Sequence, residues 1–150
     1  MCSYNKNDHV SSKLVLVLIW FFTIYESFNV SDAALLSKVH VQIHNSILPS
    51  MTMNIHCKSK DNDLGNHIIL FNEDYEWHFH VNIWGTTLFW CSIGWINEVG
   101  HYVHGSFKVY EYKRDNSRCG KRCTWMVQRD GLYFINPSIN QAPELMFKWN

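Results

Sequence analysis

In Tyr75-Glu76-Trp77-His78-Phe79-His80-Val81 four large apolar side chains alternate with three polar ones. A strict period of two puts Tyr75, Trp77, Phe79 and Val81 on one face of a half-buried strand and the polar groups on the other. Met51, Met53, Ile55 and Cys57 repeat the pattern. Short alternating or aromatic-rich runs recur at Val39–Asn45, His67–Phe71, Thr87–Trp95, Phe107–Tyr112, Thr124–Gln128, Leu132–Ile135 and Met146–Trp149. Asp130-Gly131 between two such runs predicts a tight hairpin. No long helical apolar period with caps follows residue 33, and the three prolines fall between the apolar runs. Many short strands with intervening turns predict an all-β fold, a small antiparallel β-sandwich. An aromatic share of 15% suits such a core, because aromatic rings bury large areas on pleated surfaces.

The beginning of the chain is different. Leu14–Tyr25 reads LVLVLIWFFTIY, with Lys6 and Lys13 before it and the small residues Ser31 and Ala33 after it. The run is shorter than the roughly 20 residues that span a bilayer. It fits the apolar region of a secretory signal, with cleavage after Ala33. Residues 1–33 are therefore expected to be a signal peptide and residues 34–150 a single domain, secreted and with no stable membrane insertion after cleavage. The one sequon, Asn29-Val30-Ser31, falls before the cleavage site.

That compartment decides how the cysteines read. Cys2 leaves with the signal, and Cys57, Cys91, Cys119 and Cys123 remain to form two disulfides. Four cysteines allow three connectivities. Direct Cys119–Cys123 pairing closes only a very short loop. The preferred expectation is that each reaches back to Cys57 or Cys91, since longer loops remove more unfolded-state entropy. A zinc site on Cys119-x3-Cys123 is disfavoured where thiols oxidise.

Lys plus Arg and Asp plus Glu both number 13, so long-range steering of an anionic partner is not expected. The cations are nonetheless uneven. Lys113, Arg114, Arg118, Lys121 and Arg122 crowd one segment, whose distal end Cys119 and Cys123 would pin. A pinned loop binds with less ordering cost than a free one, and its arginines suit carboxylates or other anions. This segment is the first candidate contact site. The second is the Trp95–His104 loop, with Trp95, Glu98, His101 and His104. The third is the Asp61–Gly65 turn. A calcium loop there is disfavoured: counting from Asp61, the twelfth position, where an acidic ligand belongs, is Asn72. Nucleic acid is not an expected partner, because aromatics do not interleave with the cations.

Enzyme chemistry finds no support. The chain has no Gly-x-Ser-x-Gly elbow and no Gly-rich phosphate loop. His78 and His80 share a strand face, and His40 and His44 do so too, but solvent-facing strand histidines account for them. No catalytic residue, metal or cofactor is expected. Trp77 and Trp125 read as core, whereas Gly85 and Gly94 place Trp84 and Trp95 near turns, where an exposed ring is a contact candidate.

Three stretches in order carry a family resemblance: His56-Cys57-Lys58-Ser59-Lys60-Asp61-Asn62-Asp63-Leu64-Gly65; Tyr75-Glu76-Trp77-His78-Phe79 with Thr87-Leu88-Phe89-Trp90-Cys91; and Cys119-Gly120-Lys121-Arg122-Cys123-Thr124-Trp125 with Arg129-Asp130-Gly131-Leu132-Tyr133. Together, from about Val39 to Trp149, they resemble the plant self-incompatibility S-protein family. The resemblance implies a secreted β-sandwich with two disulfides and an extracellular signalling or recognition ligand, whose founding relatives act on the stigma to trigger rejection of self pollen. With the basic segment, a cell-surface receptor or wall component is the expected partner. A secreted carbohydrate-binding or membrane-active defence protein is the competing expectation. The first would expose Trp84 or Trp95 in a groove, and the second would set an apolar patch beside the basic loop.

Overall fold

The computed structural model describes residues 15–22, 38–136 and 142–149. The expected cleavage site at Ser31 and Ala33 and the sequon at Asn29 lie outside them. Residues 15–22 form a helix, α1, with exposed apolar side chains. No helix among the described residues is long and apolar enough to cross a membrane.

The remainder is a separate unit of nine strands: β1 (Lys38–Asn45), β2 (Met53–Lys58), β3 (Asp63–Ile69), β4 (Asp74–His80), β5 (Leu88–Ile96), β6 (Tyr102–Glu111), β7 (Arg122–Val127), β8 (Gly131–Ile135) and β9 (Glu144–Lys148), with a helical turn α2 (Tyr112–Asp115) between β6 and β7. Each apolar run read from the sequence overlaps a strand, but Leu70 and Phe71 fall beyond β3 and Tyr112 falls in α2. One sheet has the order β4-β1-β7-β8-β9 and the other β3-β2-β5-β6. One pairing departs from the antiparallel expectation: β1 lies parallel to β7, with His40 opposite Arg122 and Asn45 opposite Val127. Strands so far apart in sequence need no tight turn between them, so either direction is open to them.

The period of two does what it predicts in β4, where Trp77 faces inward and Glu76, His78 and His80 face outward. Inward residues of both sheets join one core that includes Val41, Ile43, Ile55, Ile93, Val109, Trp125 and Phe134. Phe79 of β4 packs on Phe89 of β5 and Tyr110 of β6, at centroid distances of 4.5 and 4.9 Å. The Trp125 indole N–H on β7 donates to the Val109 carbonyl on β6 at 2.8 Å, which satisfies a buried donor across the sheets. At one end, buried Asn45 donates to the Met51 and Ile69 carbonyls at 3.1 and 3.0 Å and accepts from the Ile47 N–H. It thereby ties the β1–β2 connection and the end of β3 to β1.

The disulfides correct the expected pairing. They join Cys57 to Cys91 and Cys119 to Cys123. Cys57 and Cys91 are directly opposite in the β2–β5 register. Cys119 and Cys123 close the turn that opens β7, with Cα atoms 4.9 Å apart. Loop entropy acts on the unfolded chain, whereas pairing is chosen by native proximity, and here register decided it.

Candidate functional site

Among the described residues three loops share one end of this unit: residues 59–62 between β2 and β3, 81–87 between β4 and β5, and 112–121 between β6 and β7. Between the first two lies a cleft of about 480 Å³, with Phe79, Phe89 and Trp90 towards its apolar side and Lys60, Asp61 and Asn62 on its rim. Its neighbouring loop is fastened by one residue. The Asn82 amide group donates to Thr86 Oγ1, its carbonyl oxygen accepts from the Thr86 N–H, and its backbone N–H donates to Thr87 Oγ1, each at 2.8 Å. Gly85 turns the chain at φ 61°, and a side chain there would collide with the Tyr112 ring. Tyr112 in turn donates its N–H to the Thr87 carbonyl at 3.0 Å, which couples the 81–87 loop to the 112–121 segment.

At the tip of this fastened loop sit Ile83 and Trp84, with Trp84 79% exposed. Because the loop is fastened, covering Trp84 orders that side chain without also ordering the loop, and Trp is a frequent anchor of interfaces. The opposing 59–62 turn is also ordered: the Ser59 hydroxyl accepts from the N–H groups of Asp61 and Asn62 at 3.3 and 3.1 Å.

The basic segment resolves into two kinds of cation. Arg114 pairs bidentately with Asp115, at 2.8 and 2.7 Å, donates to the Lys108 carbonyl, and lies over Trp125. Asp115 is fully buried and also accepts the Glu111 N–H at 2.8 Å. Arg118 bonds Glu144 at 2.8 Å and stacks on Phe134, 3.8 Å from the ring centroid. These two arginines serve the fold. Arg122 is half exposed, 3.2 Å from Gln42 Oε1 and 3.7 Å from Glu76. Lys113 and Lys121 are exposed.

The second candidate, expected as one loop, is dispersed. Trp95 is 3% exposed within β5 and meets Trp149 edge-on at 4.7 Å, so it is core. Strand β5 runs past Gly94 to Ile96, and β6 begins at Tyr102, which leaves only residues 97–101 as a turn. His101 is in that turn, at the end opposite the basic segment. His104 is on the outer face of β6, stacked on Tyr102. Glu98 pairs with Arg129 at 3.1 Å. The Asp61–Gly65 turn is shorter than expected, because β3 starts at Asp63. Asp63 accepts from the Gly65 N–H and bonds His56 at 2.6 Å, contacts that hold its carboxyl below the usual range.

His40, His44, His78 and His80 do face solvent on the five-stranded sheet, where His44 bonds Asp74 at 2.8 Å. Among the described residues no group of three or more His, Cys, Asp or Glu is arranged to hold a metal. Sequence reading did not single out Asn82 or Ile83; an Asn three residues before a Gly, bracketing two apolar residues, is the local signal of such a fastened turn.

Residues 40–149 match the family model described as plant self-incompatibility protein S1. The chain is 34% identical over 140 residues to S-protein homolog 27 of Arabidopsis thaliana, covering 90% of this chain and 86% of that one. It is 33% identical over 120 residues to self-incompatibility protein S1 of Papaver rhoeas, covering 79% of each. A solved self-incompatibility protein homologue, from a family described as small, highly stable, secreted plant proteins, superposes with a TM-score of 0.57 at 20% identity, covering 77% of this chain and 96% of that structure.

Proposed function

This chain belongs to the plant self-incompatibility protein S1 family, and we propose that it is a secreted recognition ligand that meets a cell-surface partner through the loop end bearing Trp84. Residues 1–33 act as the signal that is removed, and residues 34–150 are the ligand. The two sheets close as a sandwich, a rigid frame that fixes the loops relative to one another. Face-to-face contacts such as Phe79 on Phe89 and the Trp125–Val109 hydrogen bond support that frame. The Cys119–Cys123 bridge holds the exit of the basic segment.

The observation that carries the reading is the exposed Trp84 on a loop locked by Asn82. Around it, Ile83 extends the apolar tip, while Lys60, Lys113 and Lys121 supply a cationic rim at the same end. An aromatic anchor inside a charged rim is the anatomy of a protein–protein contact. Catalysis is not part of this function, which is of the self-incompatibility type: a diffusible protein read at another cell's surface.

The test is binding of the labelled secreted protein to intact plant cells that respond to it. Trp84→Ala is expected to weaken binding by tenfold or more, with an unchanged circular dichroism spectrum. Lys113→Glu with Lys121→Glu is expected to slow association and to reduce its salt dependence. Unchanged binding by Trp84→Ala would sink the proposal. The apolar tip beside cations also favours a membrane-active reading. Trp84-dependent binding to protein-free phosphatidylserine vesicles would replace a receptor with lipid.

A further inference from the structure

A second concave site lies on the outer face of the four-stranded sheet, away from the loop end. Strand register stacks two rows there. Asn54, Gly94 and His104 are opposite one another across β2, β5 and β6; in the next row Asn66, His56, Ser92 and Ser106 cross all four strands. Gly94 leaves a gap in the first row, and the Tyr102 ring leans over it so closely that any side chain at Gly94 would collide with its hydroxyl. The result is a trough of about 280 Å³ in the sheet surface.

The lining chemistry is specific. Tyr102 is 61% exposed and stacks on His104 at 5.3 Å and 21°, so a flat aromatic platform borders the trough. Ser92 and Ser106 hydroxyls sit 3.3 Å apart in its floor, and Asn54 and Asn66 bring amide donors and acceptors. His56 is held by Asp63 at 2.6 Å through Nε2, which leaves Nδ1 to bond a ligand hydroxyl. Hydroxyls and amides bond at their best with a ligand that is itself dense in hydroxyls. Among the described residues no Asp, Glu, Lys or Arg lines the trough.

We propose that this trough is a binding site for an uncharged oligosaccharide. One sugar ring lays its C–H face on Tyr102, and its hydroxyls exchange hydrogen bonds with Asn54, Ser92, Ser106 and His56. An aromatic wall with few, convergent polar groups is the usual makeup of a small-ligand site, and this volume holds a ring or slightly more. The site is open to solvent, which allows a longer glycan to continue beyond it. In a secreted protein of walled cells, weak glycan binding would hold the ligand near the surface where its partner is displayed.

The experiment is titration of the ¹⁵N-labelled secreted protein with cellohexaose, mannohexaose and a xyloglucan heptasaccharide, with polygalacturonate as the charged control. At least one neutral probe is expected to shift the amides of Gly94, Ser92, Ser106 and His104 with millimolar or tighter affinity. Tyr102→Ala is expected to weaken that binding about tenfold. Ser106→Gln, whose side chain stays on the solvent face, is expected to block the trough while the spectrum elsewhere is unchanged. Trp84→Ala should bind the glycan normally, which separates this site from the recognition end. No amide shift with any neutral probe at about 10 mM would overturn the proposal. So would shifts that survive both Tyr102→Ala and Ser106→Gln, or binding of polygalacturonate alone.

Discussion

Tyr110 is fully buried on β6, and its hydroxyl has no hydrogen-bond partner among the described residues. Burial first, then the charges of Asp115 and Tyr112, push this hydroxyl up to about 12. The unfolded chain ionises it near 10. Stability tied to a neutral Tyr110 is therefore intact below about pH 10 and is lost as pH rises through about 12. Tyr110→Phe removes an unsatisfied polar atom, so it is expected to be neutral or stabilising by up to about 1 kcal/mol at pH 7. It should also flatten the alkaline loss, and urea unfolding at pH 7 and at about pH 10.5 reads both effects. Asp115 is the opposite case, a buried carboxylate with every contact made by Arg114 or the Glu111 N–H. Asp115→Ala strands Arg114 and is expected to cost about 3 kcal/mol or more in the same assay. A loss near zero would mean that Arg114 finds solvent without disturbing Trp125.

The 81–87 loop shows how a connection between strands is fastened by its own residues. Asn82 supplies contacts that a regular ladder would otherwise provide, and Gly85 clears space for Tyr112. Asn82→Ala is expected to speed amide exchange at residues 83–87 and to weaken cell binding, while global stability falls by only about 1 kcal/mol. Hydrogen exchange beside a melting curve checks this. Equal protection in the variant would show that Tyr112 alone orders the loop. The 112–121 segment follows the same logic, since its arginines fasten it and its lysines stay outside.

For the molecule as a whole, covalent staples act on a domain of modest size. The Cys57–Cys91 bridge spans 34 positions and Cys119–Cys123 spans 4. On the loop-entropy model the first contributes about 4 kcal/mol and the second about 2. Replacing each pair by Ala and measuring guanidinium unfolding should give that order of loss. A larger loss for the 119–123 pair would assign the shorter bridge an enthalpic role in holding β7 against β1. The core itself joins both sheets, so neither sheet is expected to unfold alone, and different spectroscopic probes should give one transition.

The strands were legible in the sequence because alternation is a local property: Tyr75 to Val81 can bury one face only as an extended chain. The two disulfides' four cysteines and the family's three stretches were legible for the same reason, as fixed residues in order. Which cation is free was not. Arg118 is neutralised by Glu144, 26 positions later, and Arg114 by an aspartate whose burial the sequence does not show. Trp84 and Trp95 both stand beside a glycine, yet one is exposed and the other is core, because β5 continues through Gly94 whereas Gly85 ends a turn. The sequence alone determined the element types and the motif order; the tertiary structure decided the cysteine pairing, the free charges and the exposed ring. Those depend on register between strands distant along the chain, and register is set by how two sheet faces bury one another.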